Sequence, residues 1–193
     1  MLPTQQLSIL GTFQAACTSS DLQIHAAKLT TSEALKPENA PRNRYTDVLP
    51  WDATRVLLSS GGSNYINASH VKCHASHFIA AQGPLPSTCQ DFFVMLREQN
   101  VNLVIALGPS AEMGRVKFHE YWSHESVTIK CQRQLIGCAI IERICSVVVN
   151  GLEHDFVHLH AYDWPDHGVP QVVLSSNQKL LSKALAAHSV TCC

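Results

Sequence analysis

Apolar positions recur along this chain with two different periods, and the change from one to the other marks its elements. Leu22, Ala26, Leu29 and Ala34 return loosely at helical spacing until Pro37 and Pro41 end the pattern, so residues 1–36 read as a helical lead-in. Arg42 to Pro50 is a polar loop that carries an aromatic ring. Tyr65–Ser69 and His77–Ala81 then read as two strands joined by a short polar link. Pro86 suits a first helical turn, and Cys89, Phe92, Phe93 and Leu96 after it trace one apolar helical face. Leu103–Leu107 is continuously apolar between Asn102 and Gly108-Pro109, the pattern of a strand covered on both faces.

The stretch from Val127 to Tyr162 is strand-rich. Asn150-Gly151, between Cys145–Val149 and Phe156–Leu159, is its strongest hairpin signal, because both residues accept the positive φ that a tight turn needs. Leu174, Leu181 and Leu185 fall on one face of a last helix that ends near His188. No internal repeat or low-complexity tract interrupts the sequence. The order of elements predicts a mixed α+β fold around a substantial sheet.

Composition narrows this picture without changing it. A chain of 193 residues that is 46% hydrophobic and 15% charged has the length and balance of one domain with its own core, not of a disordered tail, a collagen-like fibre or a coiled coil. Fourteen Lys and Arg against fifteen Asp and Glu leave a net charge of -1, so no basic field points to nucleic acid. No apolar run reaches the ~18 residues a spanning helix requires. The first residues have neither the basic start nor the long apolar core of a secretory signal, and a cytoplasmic location is expected. Cys73, Cys89, Cys131, Cys138 and Cys145 sit in apolar or alternating stretches, which reads as buried free thiols in a reducing compartment.

Two groupings invite a metal: Cys73 with His74 and His77, and His158 with His160 on one strand face. Neither has a four-ligand zinc spacing, so core or solvated histidines are the expectation and no metal site is predicted. No Gly-x-Ser-x-Gly elbow is present to support a Ser-His-Asp triad.

The remaining motifs form an ordered set. Asn43-Arg44-Tyr45-Thr46-Asp47-Val48 resembles the phosphotyrosine-recognition loop of the tyrosine-specific protein phosphatases. Tyr65-Ile66-Asn67-Ala68-Ser69 and Gln82-Gly83-Pro84-Leu85-Pro86-Ser87-Thr88 are similar to that family's next two motifs, and Glu112 to Lys117 followed by Tyr121-Trp122 to its glutamate-bearing loop. Trp164-Pro165-Asp166-His167-Gly168-Val169-Pro170 looks like the mobile loop that carries its general acid. Singly, each has a plain structural reading: a turn with a snorkelling arginine, a capping turn with a packed tryptophan, a surface Glu–Lys pair worth ~0–1 kcal/mol. Their order lifts them above that.

The resemblance implies a phosphatase-like α+β domain over residues 37–193, a large twisted mixed sheet with flanking helices. It also implies roles. Asp166 is the general acid that protonates the departing phenol, in a loop that closes over substrate. Tyr45 walls the pocket and Asp47 accepts hydrogen bonds from the substrate backbone. Glu112, Lys117 and Trp164 support these loops at the rim. No metal or organic cofactor is implied, and the expected partner is a phosphotyrosine protein or peptide.

The family's nucleophile lies in a His-Cys-x5-Arg loop downstream of the Trp-Pro-Asp motif, and no cysteine in these 193 residues has an arginine six positions later. Ser189-Val190-Thr191-Cys192-Cys193 is faintly similar to the strand and cysteine that open that loop, which makes Cys193 a weak candidate and leaves the nucleophile unknown. Positioned acid catalysis supplies only ~10^2–10^4, whereas enzymes accelerate phosphate-ester hydrolysis by up to ~10^21. Asp166 alone therefore cannot carry the reaction. The expectation is a phosphatase domain incomplete at its carboxyl end and inactive as it stands, with part of its sheet uncovered. The alternative is a non-catalytic phosphotyrosine-binding or scaffold protein.

Overall fold

The computed structural model describes residues 29–73, 76–112, 114–135, 139–164 and 190–192, the last three through their backbone. Ten strands and one α-helix account for most of the described chain. Eight of the strands make one mixed sheet, in the order β1 (Arg55–Leu57), β2 (Tyr65–Cys73), β3 (Ser76–Ala81), β10 (Val190–Cys192), β4 (Leu103–Leu107), β9 (Leu152–Ala161), β8 (Ile140–Val149) and β7 (Val127–Gln134). The other two, β5 (Ala111–Glu112) and β6 (Arg115–Val116), form a small separate hairpin.

Strands β3, β10, β4 and β9 run parallel, flanked by antiparallel pairs on both sides. Between β3 and β4 the chain crosses over through α1 (Cys89–Glu98), which begins directly after a 3-10 turn at Pro86–Thr88. Proline at the entry costs no hydrogen bond, and Phe92, Phe93, Met95 and Leu96 turn inward from the helix. They pack against Ile79, Val104, Ala106, Cys145, Val147 and Phe156 on one face of the sheet. Tyr121 and Trp122, in a short 3-10 turn, extend the same layer.

The opposite face holds a second apolar cluster of Leu103, Ile105, Ile140, Leu159 and Ala161, each nearly inaccessible. Strand pairing aligns Val71, Phe78, Leu103, Val157 and Ile144 into a row across this face. Its centre is buried, but Val71 at one end and Ile144 at the other are 41% and 42% exposed, and nearby Val148 is 55% exposed. Phe78 and Val157 inside the row are partly buried, and Leu107 on β4 is 40% exposed, so this face is closed fully only around its apolar cluster.

The Asn150-Gly151 turn joins β8 and β9 with φ of 52° and 75°, as the sequence leads one to expect. Both strands run longer than their apolar cores suggest. The difference lies in buried polar residues: Glu142, Arg143 and His158 interrupt the hydrophobic pattern yet sit inside the sheet with partners. Cys89 and Cys145 are buried thiols, whereas Cys131 is exposed on β7, an edge strand of alternating polarity that is exposed along nearly its whole length. Among the described residues no helix is long and apolar enough to cross a membrane. Of the lead-in, only residues 29–36 are described, and these form turns, with the Leu35 amide donating to the Thr31 carbonyl at 3.2 Å. The final helix expected around Leu174–Leu185 lies outside the described residues.

Candidate active site

Parallel strands deliver their carboxyl ends, and the loops that follow, to one edge of the sheet, where open sheets place their ligands. Here β3 leads into Gln82-Gly83-Pro84, β4 into Gly108 and the β5–β6 hairpin, and β9 into Trp164. The fourth, β10, is seated between β3 and β4, with Cys192 opposite Ala80 and Ile105, so its carboxyl end reaches the same edge.

The Tyr45 loop is fixed to this edge by polar side chains. Asn43 is the anchor: its Oδ1 accepts from the Tyr65 hydroxyl at 2.6 Å and from Asn67 Nδ2 at 3.0 Å, while its own Nδ2 donates to the Ala34 carbonyl at 3.1 Å. Asn67 also donates to the Val48 carbonyl at 2.9 Å, which closes the far side of the loop. Gln82 grips both sides of Arg44: its Oε1 accepts from the Arg44 amide at 2.9 Å and its Nε2 donates to the Arg42 carbonyl at 2.8 Å. The Arg44 guanidinium then donates to the carbonyls of Gly83 and Pro84 at 3.2 and 2.9 Å. Against this fixed backbone Tyr45 holds its ring outward, 48% exposed, and Asp47 is exposed beside it. A ring presented on a rigid loop is suited to stacking on a flat partner, and an exposed carboxylate to accepting N–H groups.

The Gln82–Pro84 segment also carries the hairpin loop. The Pro84 carbonyl accepts from the His119 amide at 3.1 Å, and Gly83 lies so close to Phe118 that a β-carbon there would fall 2.2 Å from Phe118 Cβ. Glu112 pairs with Arg115 across the β5–β6 hairpin, and the Lys117 amide donates to the Ser110 carbonyl at 2.8 Å. Both Glu112 and Lys117 are half-buried at the rim.

Trp164 follows β9 where β4 also ends. The Gly108 amide donates to the Ala161 carbonyl at 2.9 Å, and His160 Nε2 donates to the Gly108 carbonyl at 2.9 Å. Gly108 has φ of +94°, and a β-carbon on it would meet the Trp164 carbonyl at 3.1 Å. The base of the Trp164 loop is therefore set by a glycine that no L-residue replaces without strain.

Beneath this edge lies a buried polar and aromatic cluster. His158, with 0% exposure, contacts the Tyr121 hydroxyl through Nε2 at 2.9 Å and Arg143 through Nδ1 at 3.2 Å. Guanidinium only donates, so Nδ1 must accept and the neutral ring carries its proton on Nε2, facing Tyr121. Burial, with the Arg143 charge and His160 adding to it, holds His158 well below the usual imidazole range. Arg143 also lies 4.6 Å from the Trp122 ring centroid and donates to Gln132 at 2.8 Å.

The structure thus brings Tyr45, Asp47, Glu112, Lys117 and Trp164 to loops at one sheet edge, while Asp166 and Cys193 lie outside the described residues. Asn43, Asn67, Gln82 and Gly83 fall within the motifs, but their supporting roles depend on contacts between loops and are invisible in any one segment. His158 and His160, the pair on one strand face, are core histidines, as expected, while Arg143 carries no sequence signal beyond polarity inside a strand. Among the described residues no group of three metal-binding side chains occurs; His77 stacks on His70 instead, with ring centroids 5.0 Å apart. His74 lies outside the described residues.

The sequence matches the family described as Protein-tyrosine phosphatase over residues 39–190. It is 38% identical over 161 residues to human tyrosine-protein phosphatase non-receptor type 14, covering 74% of this chain and 14% of that protein. Mouse receptor-type tyrosine-protein phosphatase eta is 35% identical over 163 residues, covering 78% of this chain and 13% of that protein. The chain therefore spans only a small part of the relatives it matches. In structure it resembles the catalytic domain of human protein tyrosine phosphatase non-receptor type 18, with a TM-score of 0.80 at 29% identity over 97% of this chain and 75% of that one. A structure of the same phosphatase with HER2 phosphopeptides superposes with a TM-score of 0.85 at 28% identity, over 99% of this chain and 72% of that one. Motifs, sheet topology and these matches agree: the chain belongs to the protein-tyrosine phosphatase family.

Proposed function

We propose that these residues form the substrate-recognition and proton-donating part of a phosphotyrosine phosphatase, and that the 193-residue chain alone does not turn over phosphotyrosine. In the complete reaction a cysteine thiolate attacks phosphorus and forms a cysteinyl phosphate while Asp166 protonates the departing tyrosine oxygen; water then releases phosphate. Tyr45 stacks on the phosphotyrosine ring and Asp47 holds the peptide backbone. Glu112, Lys117 and Trp164 keep the surrounding loops in place. The substrate is a phosphotyrosine protein or peptide, a reading supported by the complex of a similar phosphatase with HER2 phosphopeptides. The domain unit is taken as residues 37–193, preceded by the lead-in, and the location as the cytoplasm.

The observation that carries the reading is the convergence of the Tyr45 loop, the Glu112 hairpin and the Trp164 loop on the carboxyl edge of four parallel strands. The proposed inactivity of these 193 residues rests on the absence of Cys-x5-Arg from them. Without that loop, neither the backbone cradle nor the arginine that stabilise the equatorial oxygens is supplied. Cys193 stays a weak candidate for the nucleophile.

The test is release of inorganic phosphate from a phosphotyrosine peptide by the purified chain. No release above the buffer control is expected. Sustained turnover that Asp166→Asn lowers at least tenfold would retain the family chemistry and overturn the inactivity. Turnover indifferent to that substitution would overturn the role of Asp166.

A further inference from the structure

The loop that joins β1 to β2 is closed at its base by the Leu58 amide, which donates to the Asn64 carbonyl at 3.2 Å, and its Ser59-Ser60 segment is clasped by one carboxylate. Glu98, the last residue of α1, accepts from the Ser59 amide at 2.8 Å through one oxygen. Its other oxygen accepts from the Ser60 amide at 2.7 Å and from the Ser60 hydroxyl at 2.6 Å. The Ser60 hydroxyl oxygen in turn accepts from Asn150 Nδ2 at 3.2 Å, which ties the loop to the β8–β9 turn. Partial burial pushes the Glu98 carboxyl up, but the three donors outweigh it and hold the group below its ordinary value. One serine hydroxyl thus links three separate parts of the fold.

The tip of the loop stands clear of its neighbours. Gly61 has φ of +114°, and a β-carbon on Gly61 or Gly62 would meet nothing within 4 Å. The sequence Ser59-Ser60-Gly61-Gly62-Ser63 is consequently an open, polar segment that an enzyme's cleft can draw out.

We propose that Ser60 is a phosphorylation site whose modification opens this clasp. A serine kinase would supply a nucleoside triphosphate. The Ser60 oxygen bonds to the γ-phosphorus, the bond to the departing nucleoside diphosphate breaks, and the hydroxyl proton passes to the kinase's base. Three consequences act in the same direction. The proton that Ser60 donates to Glu98 is lost. A charge of about −1.5 to −2 is set against the Glu98 carboxylate. It also lies at the carboxyl end of α1, where the helix dipole is already negative. The loop leads directly into Tyr65 and Asn67, the two residues that hold Asn43, so its release loosens the first residues of β2. The inference is independent of the catalytic reading above.

The experiment places phosphoserine at position 60 of the full chain and follows amide hydrogen exchange over residues 58–67. It is compared with the unmodified chain, with Ser60→Ala, which removes the donor without adding charge, and with Glu98→Gln in both phosphorylation states. Exchange of the Ser59 and Ser60 amides is expected to rise at least tenfold on phosphorylation, beyond the rise in Ser60→Ala. In the Glu98→Gln chain phosphorylation is expected to add much less. Exchange equal to that of the unmodified chain or of Ser60→Ala, or an undiminished increment in Glu98→Gln, would overturn the clasp. Peptide mapping of the chain expressed in eukaryotic cells is expected to recover phosphate on Ser60, and a chain unmodified there would overturn the assignment as an acceptor.

Discussion

Gly83 and Phe118 meet backbone against side chain: a β-carbon built on Gly83 would stand 2.2 Å from Phe118 Cβ and 3.4 Å from its Cα. The contact joins the segment that supports Arg44 to the segment that follows Lys117, so two loops of the site share one packing point. Gly83→Ala cannot be accommodated by a change of rotamer, because the obstructing atom is itself a β-carbon. Destabilisation of about 1–3 kcal/mol is expected from the forced backbone shift, read as a lower denaturant midpoint. Phe118→Ala retains the β-carbon and should not rescue it, whereas Phe118→Gly should recover part of the loss caused by Gly83→Ala. Equal stability of Gly83→Ala and the parent would show that the loops yield freely here.

Asn43 serves two donors and two acceptors at once. Asn43→Ala leaves the Tyr65 hydroxyl and one Asn67 hydrogen without their acceptor, a loss expected to cost about 1–3 kcal/mol. Asn43→Asp keeps the acceptor but loses the donation to the Ala34 carbonyl, and its cost should be smaller unless the added charge dominates. The order of the two variants in a thermal melt tests whether Oδ1 is the working atom. Tyr65→Phe provides the independent check, since it removes one of the same bonds from the other side.

These relationships show what the sequence makes legible and what it hides. The loops could be read because each holds its residues contiguously, and β2, β3, α1 and β4 because their apolar periods are clean. Gly83 and Phe118 could not be paired in advance, since nothing local in either segment records the other. The ends of β8 and β9 were obscured for a different reason. Arg143 and Glu142 look like surface residues, yet they are buried because Gln132, His158 and Arg133 meet their polar groups across the sheet. An extra residue at Lys130, where the β7 register shifts, lies equally beyond a simple alternation count.

Neutral buried histidines make stability fall in acid. His158 and His160 are both held below the ordinary imidazole pKa, primarily by burial. Below about pH 6.5 the unfolded chain takes up protons that the folded chain does not, so the slope of unfolding free energy with pH is positive there. Each such group contributes up to about 1.4 kcal/mol per pH unit until its folded pKa is passed. Stability should be flat from pH 8 to 7 and fall from pH 6.5 to 5. His158→Gln is expected to lower stability at pH 7.5 but to flatten the slope. An unchanged slope would mean that His158 is not neutral in the folded protein. Nitrogen-15 spectra should show its proton on Nε2.

The cysteines should separate by reactivity. Cys89 and Cys145 are buried, and burial pushes each thiol up to about 11, with Arg44 and Arg143 respectively opposing only in part. At pH 8 that leaves roughly a thousandth of either as thiolate, behind a packed layer that reagents must open to enter. Cys131 is exposed on the edge strand β7. Iodoacetamide mapped by peptide mass should therefore label Cys131 at least tenfold faster than Cys89 or Cys145 in the folded chain. In denaturant the three should converge, because the difference belongs to the fold and not to the local sequence. Labelling of Cys89 at the rate of Cys131 under native conditions would place α1 away from the sheet, and with it the crossover that positions Gln82 and the Tyr45 loop.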